Sequence, residues 1–276
     1  MKLRTKSIYF LSLLALMNSS FASQNVAKGA LPSGKVYLGL FGGGGSLAND
    51  FDTEQYGTVL LPEDLGGALA VNAFGEVDND SASFIGLQLG YQAQEIWLGA
   101  GSQLSLIPAV ELEGYYMYKR SYNGTLSNNT DRLLEHEFDV TYPMKKSIFL
   151  TNIVLSFNHP RFPVSPYIGL GIGSAIVDIT GANSKQMDPL ETGTNHYNTN
   201  TDDTDTTFAG QVKLGISYNI TQAISVFAEY RWLYLSNTDF TFGSTDYSTH
   251  SATTSWQVDL DPQKYNLGSL GIRISL

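Results

Sequence analysis

The sequence has no cysteine among its 276 residues, which excludes disulfide frameworks, thiolate metal centres and cysteine nucleophiles together. It is also short of charge. Only 15 % of residues are Asp, Glu, Lys or Arg, too few for a disordered acidic chain. Basic residues are the scarcer sign, 16 against 26 acidic, for a formal net charge of -10. That balance excludes a general nucleic-acid binder, which needs a basic surface to displace the counterions of phosphates. No segment reaches the ~20 consecutive apolar residues of a membrane-spanning helix.

What is abundant is glycine and aromatic residues, with 27 Gly, 16 Tyr and 14 Phe, an unusual mixture for an ordinary globular domain. Residues 1–22 read as a secretory signal. Lys2, Arg4 and Lys6 precede an apolar stretch from Ile8 to Met17, and Ser20-Phe21-Ala22 offers small residues at the positions a signal peptidase reads. About ten apolar residues cannot cross a ~30 Å hydrocarbon core. Cleavage after Ala22 is expected, leaving one domain over 23–276.

Past the signal, period-two alternation dominates, as in strands whose faces meet different surroundings. Val36, Leu38 and Leu40 alternate with Tyr37, Gly39 and Phe41. Val110, Leu112, Tyr116 and Tyr118 oppose Glu111, Glu113 and Tyr115. Leu270, Ile272, Ile274 and Leu276 oppose Ser269, Gly271, Arg273 and Ser275. Similar segments begin at Ile85, Ile148, Ile168, Phe208 and Val226, making eight of about the ten residues that a tilted membrane strand needs. The connectors alternate strictly in length. Residues 44–82, 120–145, 178–206 and 236–263 are long, whereas 93–106, 158–166 and 220–223 are short. Long external loops against short periplasmic turns is the pattern of outer-membrane barrels. The expected fold is therefore all-β: an eight-stranded antiparallel up-and-down transmembrane β-barrel with four long external loops and three shorter periplasmic turns.

Face polarity agrees with this reading. The apolar faces carry no mid-strand charge, while the opposite faces hold Glu111, Glu113 and Glu229 with Lys213, Arg231 and Arg273. An eight-stranded lumen is just wide enough for side chains, so this balanced set reads as a plug of paired charges rather than an ion path. Tyr115, Tyr116, Tyr118, Trp232 and Tyr234 toward one end, and Phe157, Tyr167 and Tyr218 toward the other, read as interfacial girdles.

Three segments carry a family resemblance: Pro166-Tyr167-Ile168-Gly169-Leu170-Gly171-Ile172-Gly173, Phe227-Ala228-Glu229-Tyr230-Arg231-Trp232, and Ser269 to Leu276. With them the chain resembles the eight-stranded outer-membrane β-barrel superfamily, specifically the opacity-like and OmpA-transmembrane-like surface proteins of Gram-negative bacteria. The resemblance implies the cell outer membrane, loops facing outward, and recognition of the C-terminal strand by the barrel-assembly machinery. Ile274 and Leu276 stand where that signal usually has aromatics. The resemblance is specific for architecture and weak for activity, because these barrels host adhesins, lipid-modifying enzymes, pores and structural proteins alike.

Catalytic chemistry finds little support. His136, His196 and His250 fall in long connectors and His159 in a turn, and they read as solvated loop histidines. His250-Ser251 and His136-Glu137 come nearest to the His with a Ser or acid partner that lipid A-modifying enzymes on this fold need. No catalytic residue, cofactor or metal site is expected. Gly42-Gly43-Gly44-Gly45-Ser46 lacks the Lys-Ser/Thr of a phosphate cradle and reads as a flexible strand exit. Asp202, Asp203 and Asp205 lack calcium-loop spacing and read as a solvated acidic tip with at most weak divalent binding. Lys119-Arg120 and Lys145-Lys146, at the outer ends of consecutive strands, are expected to meet lipopolysaccharide phosphates at headgroup level.

The four long connectors hold 22 acidic and 4 basic residues, are rich in Asn, Thr, Ser and Gly, and have little with which to form a core. The first is the exception, apolar at Val59-Leu60-Leu61 and over Leu65 to Val71. Function is expected there: a structural or ligand-binding, adhesin-like role through acidic loops, without enzymatic activity. Lipid A modification is the alternative, and a small-solute channel a weaker one. Expected partners are outer-membrane lipid, lipopolysaccharide, the assembly machinery and host or envelope macromolecules.

Overall fold

The computed structural model describes residues 34–276 apart from 79–80, 100–102 and 131–132. The expected signal, 1–22, lies outside the described residues. The strands run β1 Lys35–Leu47, β2 Phe51–Val59, β3 Leu69–Asp78, β4 Ala82–Gln92, β5 Ile96–Trp97, β6 Ser105–Thr130, β7 Leu133–Asn158, β8 Val164–Thr180, β9 Asn183–Asp188, β10 Asp202–Asn219, β11 Ile224–Leu235, β12 Thr238–Phe242, β13 Trp256–Leu260 and β14 Gln263–Ser275. One turn of 3-10 helix spans Glu63–Leu65. No described helix is long and apolar enough to cross a membrane.

Eight strands close a ring. β1 pairs with β4, β4 with β6, β6 with β7, β7 with β8, β8 with β10, β10 with β11, β11 with β14, and β14 returns to β1, all antiparallel. These are the eight segments marked by the alternation. A closed sheet has no unpaired edge, which hydrocarbon requires because it offers no hydrogen bonds. The faces are inverted relative to a water-soluble protein: Leu112 is 55 % exposed between Glu111 at 0 % and Glu113 at 4 %. Leu87, Leu170, Leu214 and Leu270 face outward in the same way.

Two sequence readings change here. Gly42–Gly45 is not a strand exit but lies inside β1, paired on both sides. A Cβ on Gly43 would stand 1.9 Å from the Gly268 carbonyl oxygen, so close approach of backbones explains the glycine. Tyr115 and Tyr167 belong to no girdle. They point into the barrel, 4 % and 3 % exposed.

The larger correction concerns the long connectors, which are folded. β6 and β7 each run 26 residues, whereas a membrane crossing needs about 9–11. The excess continues upward as one hairpin, with a register shift between Met117 and Arg120. A bulge there bends the ladder locally. In the other connectors β2, β3, β9, β12 and β13 prolong the barrel order: β12 pairs with β13, β13 with β2, β2 with β3, β3 with β6, and β7 with β9. The result is a crown that continues the barrel beyond its membrane band.

The crown has its own apolar centre. Phe51, Val71, Leu126, Phe138, Tyr142, Tyr197, Phe240, Phe242, Trp256 and Val258 are buried in one cluster. Burial of each large side chain contributes roughly 1.5–3 kcal/mol, which is what lets a polar, acidic stretch hold a fixed shape. Val71 and Leu69 of the apolar first connector enter the crown, while Leu60 and Leu65 stay exposed at its tip.

Candidate functional site

Three groups of polar side chains are candidates for a functional role. The first is the set of six charges at membrane level, which the structure brings together. Lys213 Nζ contacts Glu111 and lies 2.6 Å from Glu113 and 3.8 Å from Glu229. Arg231 reaches Glu113 at 3.1 Å and Glu229 at 2.5 Å, and Arg273 reaches Glu111 at 3.4 Å. Each carboxylate thus meets two cations. The Tyr37 hydroxyl donates to Glu111, Tyr167 donates to Glu229 at 2.8 Å, and Gln211 donates to Glu113 at 2.6 Å. The Arg231 guanidinium lies 4.1 Å over the Phe41 ring, and that of Arg273 lies 4.3 Å over Phe227. Alternation puts these residues inside, and eight-strand closure leaves no width for anything else. The six paired charges occupy the lumen at this level.

The second group corrects the basic cluster. Lys119 donates to the Thr180 carbonyl at 2.9 Å, Arg120 to Ser83 at 3.1 Å, and Lys145 pairs with Asp178 at 3.3 Å. These three lie toward the outside. Lys146 does not: it is 2 % exposed, donates to the Tyr122 hydroxyl at 3.0 Å and sits 4.3 Å over that ring. Tyr122 continues to Tyr265 at 2.8 Å, which donates to Gln263 at 2.6 Å. Adjacent strand residues face opposite ways, so Lys145 and Lys146 cannot share a lipid surface.

The acidic tip is also otherwise engaged. Asp203 accepts from the Thr241 amide at 2.6 Å and Asp205 from the Asp239 amide at 3.0 Å, binding β10 to β12 where no backbone ladder joins them. Asp202 accepts from the Gly181 amide at 2.8 Å.

The third group is one that sequence reasoning missed. His136, His196 and His250 line a single crown cavity of about 230 Å³ together with Trp256, Phe138 and Asn128. His196 is 2 % exposed, not solvated. Its ring stands edge-on to Phe138, Trp256 and His250, with centroids 5.3, 5.9 and 5.4 Å away. Burial, opposed by its bond to the Ser184 carbonyl and by Glu191, pulls its pKa below the usual histidine value. It is therefore neutral near pH 7. His159 lies apart in a short turn, tilted on Phe162. The only signal available in the sequence was that the three histidines fall in three connectors that the barrel order brings together.

The surface antigen family model matches residues 110–275. No curated protein matches the chain. Among solved structures, the outer membrane protease OmpT of Escherichia coli is similar at 12 % identity, covering 91 % of this chain and 99 % of that one, with a TM-score of 0.39. The outer membrane protein OprG of Pseudomonas aeruginosa is similar at 14 % identity over 87 % and 95 %, TM-score 0.39. Neisserial surface protein A is similar at 13 % identity over 87 % and 96 %, TM-score 0.30. With a family model that covers more than half of its length, the chain belongs to the surface antigen family, and its strands close an eight-strand ring with an apolar exterior.

Proposed function

We propose that this barrel acts through its crown, as an outward-facing structural or ligand-binding, adhesin-like platform, and neither catalyses a reaction nor conducts solutes. The observation that carries this reading is the folded crown above a lumen filled by three carboxylates and three cations. The crown-forming stretches have 18 more acidic than basic residues. Such a field favours cationic ligands, or divalent ions bridging to lipopolysaccharide, and repels anionic partners. Below it, Lys119, Arg120 and Lys145 sit where lipopolysaccharide phosphates would lie. The C-terminal strand β14 is the part offered to the assembly machinery.

The test uses a deletion strain complemented with the native protein or with a variant neutralised at Asp52, Glu76, Glu137 and Asp246 (to Asn or Gln), all exposed. Adherence to beads coated with a cationic peptide and to host-matrix surfaces should be lost on deletion and reduced by neutralisation. The lipid A mass spectrum should not change, and the purified protein should give no conductance steps in planar bilayers. A shifted acyl pattern would instead establish the lipid A-modifying alternative, and stable conductance the channel.

A further inference from the structure

The crown cavity holds an arrangement that the platform reading does not use. Glu191 and His196 lie on the β9–β10 connection, and His250 lies on the β12–β13 connection. Their donor atoms all fall within 4.8 Å of one another. His196 Nδ1 is 3.0 Å from the Ser184 carbonyl oxygen, and His250 Nδ1 is 2.5 Å from that of Ser251. A carbonyl can only accept, so each Nδ1–H points to its own carbonyl and each Nε2 is the ring atom turned toward Glu191. Both Nε2 atoms face the same oxygen, Glu191 Oε2, at 3.6 and 3.8 Å. These gaps are too long for hydrogen bonds. Two imidazole nitrogens and one carboxylate oxygen therefore converge on a single point of the cavity.

We propose that Glu191, His196 and His250 form a site for one divalent transition-metal ion of the zinc class. Tetrahedral ligands held at about 2.0–2.2 Å from zinc stand roughly 3.4 Å apart, so only small side-chain shifts are required. Two imidazole nitrogens and one carboxylate favour zinc, nickel, cobalt or copper over calcium or magnesium, which take oxygen donors. Backbone carbonyls holding Nδ1–H are the outer supports that metal-ligating histidines ordinarily have. The fourth position is left for an exchangeable ligand, and His136 lines the same cavity. The site bridges two connectors that already touch, through the Gly243 amide donating to the Asn200 carbonyl at 2.7 Å and the Thr245 hydroxyl donating to the His196 carbonyl at 2.9 Å. A bound ion would staple the crown shut.

Tag-free full-length protein, refolded in detergent micelles and stripped with chelator, is titrated with zinc chloride by calorimetry and with cobalt chloride by visible absorbance. The expected result is one equivalent of zinc, a tetrahedral cobalt spectrum, and no comparable response to calcium or magnesium. His250→Gln and Glu191→Gln, both at partly exposed positions, should each weaken binding at least tenfold while leaving the β spectrum and heat-modified electrophoretic mobility of the folded barrel unchanged. No zinc uptake by the native protein, or undiminished uptake by the folded double variant, would overturn the site. Because neither readout involves adherence, failure here leaves the platform reading standing, and the reverse also holds.

Discussion

Lys213 and Lys146 are both buried lysines on inward faces, and they should respond differently to the same substitution. Lys213 serves Glu111 and Glu113 directly; in Lys213→Met each of these keeps a single cation, Arg273 or Arg231, beside its neutral donor Tyr37 or Gln211. Breaking such a buried network costs about 3–5 kcal/mol. Lys146 rests on two tyrosines whose hydroxyls also bond each other, so Lys146→Met loses one neutral-acceptor bond, about 1 kcal/mol. Urea unfolding in lipid vesicles should show this ordering, and equal losses would contradict it. The lumen charges were readable because strict alternation assigns a face to every residue. The same count, carried down β7 from Asn152 through Ile148, already places Lys146 inside. Grouping it with Lys145 as a terminal basic pair ignored that parity. Histidine convergence was not readable, since it depends on how four hairpins stand around a ring.

At the scale of elements, the eight membrane segments were legible because their outward faces are predominantly apolar and carry no mid-strand charge. Their continuation was not. In Phe240 and Phe242, or Val258 and Leu260, the alternation persists for only five-residue strands, each including an Asp. Acidic composition disguised inward-facing apolar residues as loop. The carboxylates themselves are part of the construction, because Asp203 and Asp205 hold β12 against β10. Each charge-assisted bond of this kind contributes roughly 1.5–3 kcal/mol. Asp203→Ala with Asp205→Ala should therefore raise thermolysin nicking within residues 236–262 by about tenfold or more, with the membrane strands intact. Unchanged nicking would show that the crown's apolar core alone fixes that edge.

For the molecule as a whole, barrel and crown form one strand order filled by two chemistries. Paired charges line the membrane portion, and an aromatic core packs the part above it. The acidity that first appeared as a property of the chain belongs to this upper structure, whose fixed surface is what a partner would meet. If the crown were instead a set of mobile loops, charge would remain but shape would not, and recognition would lose its geometry. Hydrogen exchange read by mass spectrometry, on protein in lipid nanodiscs, tests this most directly. Peptides covering 121–128, 136–142, 238–242 and 256–260 should be protected for a time comparable with the barrel strands, while the tip at 60–68 exchanges early. Complete exchange of all four crown peptides at the earliest time point, with the barrel still protected, would contradict the account.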